Sequence, residues 1–162
     1  MAQEQLTSLP LLFSFRQMVS GDGFLAGVRM NGRALLEIEQ VDDHEEAWIS
    51  GVAPVGIAGG GNDRGIAFIE FRKSWMEVLF DLAAEARSIE DFREKCERFQ
   101  GSTEDGMTQL WQNAVAVVRQ GRYEDPALET GDADTRVFFE VVDLSHLGTG
   151  GNEVDSSPLV AA

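Results

Sequence analysis

The sequence predicts an α+β domain: an antiparallel β-meander packed on a long central helix, with two further helices and a late strand. Three observations carry that expectation. Before residue 53, apolar side chains recur at period two between turn signals built from glycine, asparagine and aspartate. From residue 65 to 86 no proline occurs and apolar residues fall at helical spacings. After two shorter helical stretches, Val137, Phe138, Phe139, Val141 and Val142 form a run rich in strand-favouring residues.

Residues 11–19 open the meander, with Phe13, Phe15 and Met18 set among Ser14, Arg16 and Gln17. Gly21-Asp22-Gly23 is a strong turn signal. Phe24, Ala26, Val28 and Met30 then alternate along a second strand. Asn31-Gly32 is a favoured pair for a two-residue type I′ hairpin, so a third strand is expected over residues 33–41. Asp42-Asp43-His44-Glu45-Glu46 reads as a solvated loop, and residues 47–52 as a short fourth strand.

A glycine-rich connection follows over residues 52–64, and Asn62 or Asp63 is placed to cap the helix after it. Ile66, Ile69, Met76, Leu79, Phe80 and Ala83 form one stripe of that helix. Ala67, Phe68, Phe71, Trp75, Val78 and Leu82 broaden it, and a helix apolar over most of its surface is expected to be buried. Ser88-Ile89-Glu90-Asp91 resembles a capping box with Asp in place of Glu, and opens a helix that reaches Phe99 and stops at Gly101. Thr103-Glu104-Asp105 starts the third helix. Met107, Leu110, Trp111, Ala114, Val115, Val117 and Val118 form its apolar face, and Gly121 ends it. Residues 135–144 read as the late strand. The expected organisation is one domain over residues 1–144 and a flexible acidic tail over 145–162. Trp48, Trp75 and Trp111 all fall on predicted elements and are expected in the core.

A chain of 162 residues, 43% of them hydrophobic, buries enough surface to fold without a disulfide or a metal. Its single cysteine, Cys96, permits no internal disulfide and fits a reducing compartment. No basic-then-apolar leader and no apolar run of membrane length is present, so a cytoplasmic location without membrane partners is expected. The net charge of −15 is unevenly spread. Residues 123–162 hold nine acids against one base, Arg136, a net −8; residues 1–122 hold 19 acids and 12 bases, a net −7. Such a surface repels phosphate backbones, which disfavours nucleic acid as a direct partner; solubility alone and attraction of a basic protein are the two readings of the charge.

The glycine-rich segment is the one candidate site: Gly56, Gly59, Gly60, Gly61, Asn62, Asp63 and Arg64. Loops of this kind before a helix present backbone amides to a phosphate. The spacing, however, matches neither the dinucleotide fingerprint nor a Walker loop, and Asp63 opposes an anion. Partner contact or a structural connection are the other readings of the same residues. His44 lies among four consecutive acids with no second His or Cys at ligand spacing, so no metal site is expected. Arg93, Lys95 and Arg98 around Cys96 would activate it only if it were exposed. Glu70, Arg72, Lys73 and Glu77 look like surface ion pairs. No nucleophile stands beside a base, so no catalytic residue and no cofactor are assigned.

With Trp48-Ile49-Ser50, then Pro54 and Gly56, Gly61-Asn62-Asp63 and Ala67, the middle of the chain resembles the HicB-like family of bacterial antitoxins. Trp48-Ile49-Ser50 looks like that family's strand, and Pro54 and Gly56 like its turn. Gly61-Asn62-Asp63 stand where Gly-Asp-Thr is usual, and Ala67 where the helix alanine falls. The likeness is loose over residues 22–86 and best over 48–67. It implies a meander packed on a helix, self-association as a homodimer, and binding to a small protein for which a basic one is the charge complement. The helix is longer than the family's, and its DNA-binding module is not visible. The terminal Ala161-Ala162 resembles ends read by bacterial proteases. A non-enzymatic protein-interaction domain is therefore the expected function, with a small-molecule or anion-binding protein, an enzyme included, using residues 56–65 as the alternative.

Overall fold

The computed structural model describes residues 6–121 and 137–145. The element order is β1 (Leu6–Gly21), β2 (Phe24–Val41), β3 (His44–Ala53), β4 (Ala58–Gly61), α1 (Arg64–Glu85), α2 (Ile89–Gln100), α3 (Asp105–Arg119) and β5 (Phe138–Asp143). The fold is α+β. Strands β1 to β4 form an antiparallel meander in sequence order, curled into a half-barrel, and β5 returns to pair with β2.

Period two decides which side chains meet. Leu9, Phe13, Phe15 and Val19 of β1 share the concave face with Ala26, Val28, Met30, Ala34, Leu36 and Ile38 of β2 and Ala47 and Ile49 of β3. Helix α1 fills this face with Ala67, Phe71, Trp75, Leu79 and Ala83, and α2 adds Phe92 and Cys96. Aromatic edges tie the layers. The rings of Phe13 and Phe71 meet edge-on at 5.1 Å, and Phe15 and Trp75 lie at 4.9 Å. Phe24 meets Phe92 at 5.5 Å.

The convex face has its own small core, formed by Leu35, Val52, Trp111 and Ala114. Arg33 on β2 pairs with Ala53, while Ala34 pairs with Gly51, so Val52 is an extra residue in β3. This bulge turns Val52 toward α3 while its neighbour Gly51 stays buried. Helices therefore cover both faces of the sheet: α1 and α2 the concave one, α3 part of the convex one.

Four expectations need correction. Asn31-Gly32 makes no hairpin, because β2 runs unbroken through it for 18 residues. Gly32 faces Phe13 across the ladder, and a Cβ there would lie 2.7 Å from Ala53 O, so close approach of strands demands the glycine. Ser14 Oγ lies 2.6 Å from Asn31 Oδ1, fixing Asn31 to β1. At this point β2 exchanges neighbours, pairing with β5 up to Asn31 and with β3 from Arg33. Second, the solvated loop over 42–46 shrinks to the pair Asp42-Asp43, with Asp42 at φ 53° and His44 already in β3. Third, α1 is buried on one face only: Ile66, Ile69 and Phe80 are exposed. Fourth, Trp48 is half exposed, unlike Trp75 and Trp111.

Other expectations hold. The turn at Asp22-Gly23 joins β1 to β2, with Gly23 at φ 75°. Asp63 Oδ1 accepts the Ile66 amide at 2.8 Å as the α1 cap. Ser88 Oγ accepts the Asp91 amide at 3.1 Å, while Asp91 Oδ2 reaches back to the Arg87 amide at 3.0 Å. Gly121 follows α3 at φ 68°. The late strand β5 packs Val141 on Val28 and joins Glu140 to Arg29 at 3.1 Å. Leu144 N donates to Leu25 O and Leu25 N to Ser145 Oγ, so Ser145, expected as the first residue of the tail, is bonded to β2; the tail from residue 146 lies outside the described residues.

Candidate functional site

The glycine-rich segment is a packing element. Its residues 58–61 form β4, paired with β3 through Ser50↔Ala58, Ile49↔Gly59, Trp48↔Gly60 and Ala47↔Gly61. Gly59 points to the concave face. A Cβ there would collide with Phe71 N and stand 2.5 Å from Glu70 C and 2.7 Å from Ala67 O, all backbone of α1. The helix lies directly on the strand, and Ala67, with no exposed surface, is small for the same reason. Gly60 points outward beneath Trp48, where a Cβ would stand 2.6 Å from Trp48 Cζ3. Gly61 backs onto Ile66. Gly56 is an open turn residue at φ 88°.

The remaining candidates divide. Asp63 is taken up with the helix cap, so a carboxylate already stands on the amides that an anion would need. Arg64 reaches Glu45 at 3.1 Å with both side chains about 30% exposed, which fastens the start of α1 to β3. Asn62 is exposed and lines a hollow of about 380 Å³ with Gly60 and Gly61.

That hollow gathers residues that the glycine pattern did not point to. Leu6, Glu37, Glu39, Glu46 and Trp48 complete its walls. Their placement follows from register. Glu37 sits opposite Trp48, Glu39 opposite Glu46, and Leu6 opposite Glu39, so all share the convex face beyond the part that α3 covers. On the other side of the indole a second hollow of about 340 Å³ runs to α1, where Glu70, Lys73, Ser74 and Glu77 line it. Ser74 Oγ accepts the Ala58 amide at 3.3 Å across this edge, and Lys73 pairs with Glu70 at 3.0 Å. Trp48 is thus a ridge between two shallow hollows. Its signal in the sequence was parity: Glu46 and Trp48 alternate with Ala47 and Ile49.

His44 pairs with Glu46 at 3.4 Å. Among the described residues no group of three or more His, Cys, Asp and Glu is arranged to hold a metal. Cys96 is fully buried. Burial first, and the neighbouring Glu97 second, push its thiol from the ordinary 9.0 up to about 12, so the surrounding bases do not activate it. Among the described residues no helix is long and apolar enough to cross a membrane. Comparison with protein-family models, with curated proteins and with solved structures gives no match.

Proposed function

We propose that this chain is a non-enzymatic protein-interaction domain of the HicB-like antitoxin type, which engages a protein partner over β3, β4 and the outer face of α1. The observation that carries the reading is the apolar surface there. Trp48, Ile66 and Ile69 are 51%, 44% and 56% exposed; Gly60 lies beneath Trp48 and Gly61 against Ile66, so β4 separates the indole from the start of α1 by one strand. Large apolar side chains exposed on neighbouring elements support a contact site, because their burial is left for a partner to complete. The alternative, a small molecule or anion held by residues 56–65, draws less support, since the glycines serve strand–helix packing and Asp63 guards the helix end.

Affinity capture of the full chain from the lysate of its own source is expected to recover one protein in stoichiometric amount, and Ile69→Asp is expected to release it. Sedimentation on the purified chain reads the implied homodimer. Repeated recovery of this chain alone, with or without the substitution, refutes the proposal.

A further inference from the structure

The exposed indole of Trp48 points to the chemistry of the partner. A Trp side chain carries a large apolar surface and one polar N–H, and is enriched where a partner covers the ring. Here its strand neighbour on one side is Gly60, over which the ring lies, and on the other Glu37. Helix α3, which covers the same face at Leu35 and Val52, does not reach it. Among the described residues about half of the side chain therefore stays exposed, and the charges on its Glu37 side are acidic, while Lys73 lies on its other side. Glu37, Glu39 and Glu46 border the indole on the convex face, and among the described residues Glu46 alone of the three has a partner, His44. Lys73, which lines the second hollow, pairs with Glu70, and Arg64 pairs with Glu45.

We infer that this hollow receives an arginine side chain from an extended, basic segment of the protein partner. The inference rests on the interaction reading above and names what the surface recognises. A guanidinium stacks on an indole face and at the same time donates in its plane to a carboxylate, which a hydrated ammonium does less well. The Trp48–Glu37 pair offers both surfaces side by side. Glu39 and Glu46 continue the acidic border in the next cross-strand row, in line with a second cation two residues along an extended segment. Charge complementarity thus selects a basic peptide over an apolar helix as the occupant.

The test uses the full chain, labelled with ¹⁵N, and a capped Gly-Arg-Gly-Arg-Gly peptide. Three indole N–H resonances report separately, since Trp75 and Trp111 are buried and Trp48 is not. The Trp48 signal is expected to shift saturably while the other two stay. The lysine peptide should bind more weakly and the neutral citrulline peptide not at all. Trp48→Ala, and the triple change Glu37→Gln, Glu39→Gln, Glu46→Gln, should each weaken binding at least about tenfold, read in every chain from the backbone amides of β3 and β4. A matched triple change away from the hollow, Asp81→Asn, Glu85→Gln, Glu94→Gln, controls for bulk charge and should leave affinity within about twofold. Absence of a saturable Trp48 shift in the wild-type chain overturns the inference, and so does equal weakening by both triple variants. The two readings fail separately: a captured partner that survives Trp48→Ala but is lost with Ile69→Asp keeps the interaction domain and removes the arginine site.

Discussion

Replacing Gly59 by alanine separates two descriptions of the glycine-rich segment by the sign of one number. In an open connection, Gly→Ala at an ordinary backbone angle stabilises by about 0.4–1 kcal/mol, because the unfolded chain loses freedom. Gly59 has no left-handed φ, so this gain is available to it. Against it stands the new methyl. It would meet Phe71 N, Glu70 C and Ala67 O, and because these are helix backbone, no side-chain rotation relieves the contact. Strand β4 and helix α1 must part, loosening a core in which Ala67, Phe71 and Trp75 have no exposed surface. Overpacking costs about 1–3 kcal/mol, and contact with helix backbone alone puts this site at about 3, so after the gain above the net loss expected is about 2–3 kcal/mol. For a chain of this size that lowers Tm by about 4–12 °C. Urea unfolding followed by far-ultraviolet circular dichroism gives the free energy. Gly106→Ala is the control. It lies in the first turn of α3 with nothing within 4 Å of the new methyl, and should stabilise by about 0.5 kcal/mol. A Gly59→Ala chain as stable as wild type, or more so, would refute the packing argument.

Other outcomes follow from the same structure. Asp63→Ala removes the acceptor of the Ile66 amide and should cost about 1 kcal/mol, read as a shift of the urea midpoint. Trp111→Ala empties the small convex core and should cost about 3 kcal/mol. It should also speed amide exchange across α3 while α1 stays protected, and uniform loss of protection would contradict a separate α3 core. The Cys96 thiol ionises at a higher pH in the folded chain than in the unfolded one. Its contribution to stability is therefore complete below pH 9 and falls by about 1.4 kcal/mol per unit as pH rises from there toward 12. Native protein at pH 8 should accordingly resist alkylation by iodoacetamide, and should react once unfolded; fast labelling of the folded chain would place the thiol at the surface.

Much of the fold was legible because it depends on local chemistry. The Asp22-Gly23 turn, the Asp63 and Ser88 caps and the Gly121 stop are each fixed by residues that satisfy backbone groups nearby in the chain. The reading failed where a local preference met a partner far along the chain. Asn31-Gly32 carries a hairpin signature, yet β1 pairs with both residues and holds them extended. The apolar positions of α1 were read as wholly buried, but one helix face is enough to fill the half-barrel, and Ile66, Ile69 and Phe80 remain outside.

The candidate site divides in the same way. Composition and alternation by themselves determined the α+β class, the period-two faces of the strands, the helix ends and an acid-rich surface. Those properties follow from backbone hydrogen bonding, side-chain polarity and net charge, which act over a few residues or over the chain as a whole. Only the tertiary structure decided that the glycines of β4 serve contact with α1 and Trp48, that α3 stops short of Trp48, and that Glu37, Glu39 and Glu46 border the open indole. Cross-strand register and helix placement bring these residues together from positions 37 to 60, and both are set by how the whole core packs.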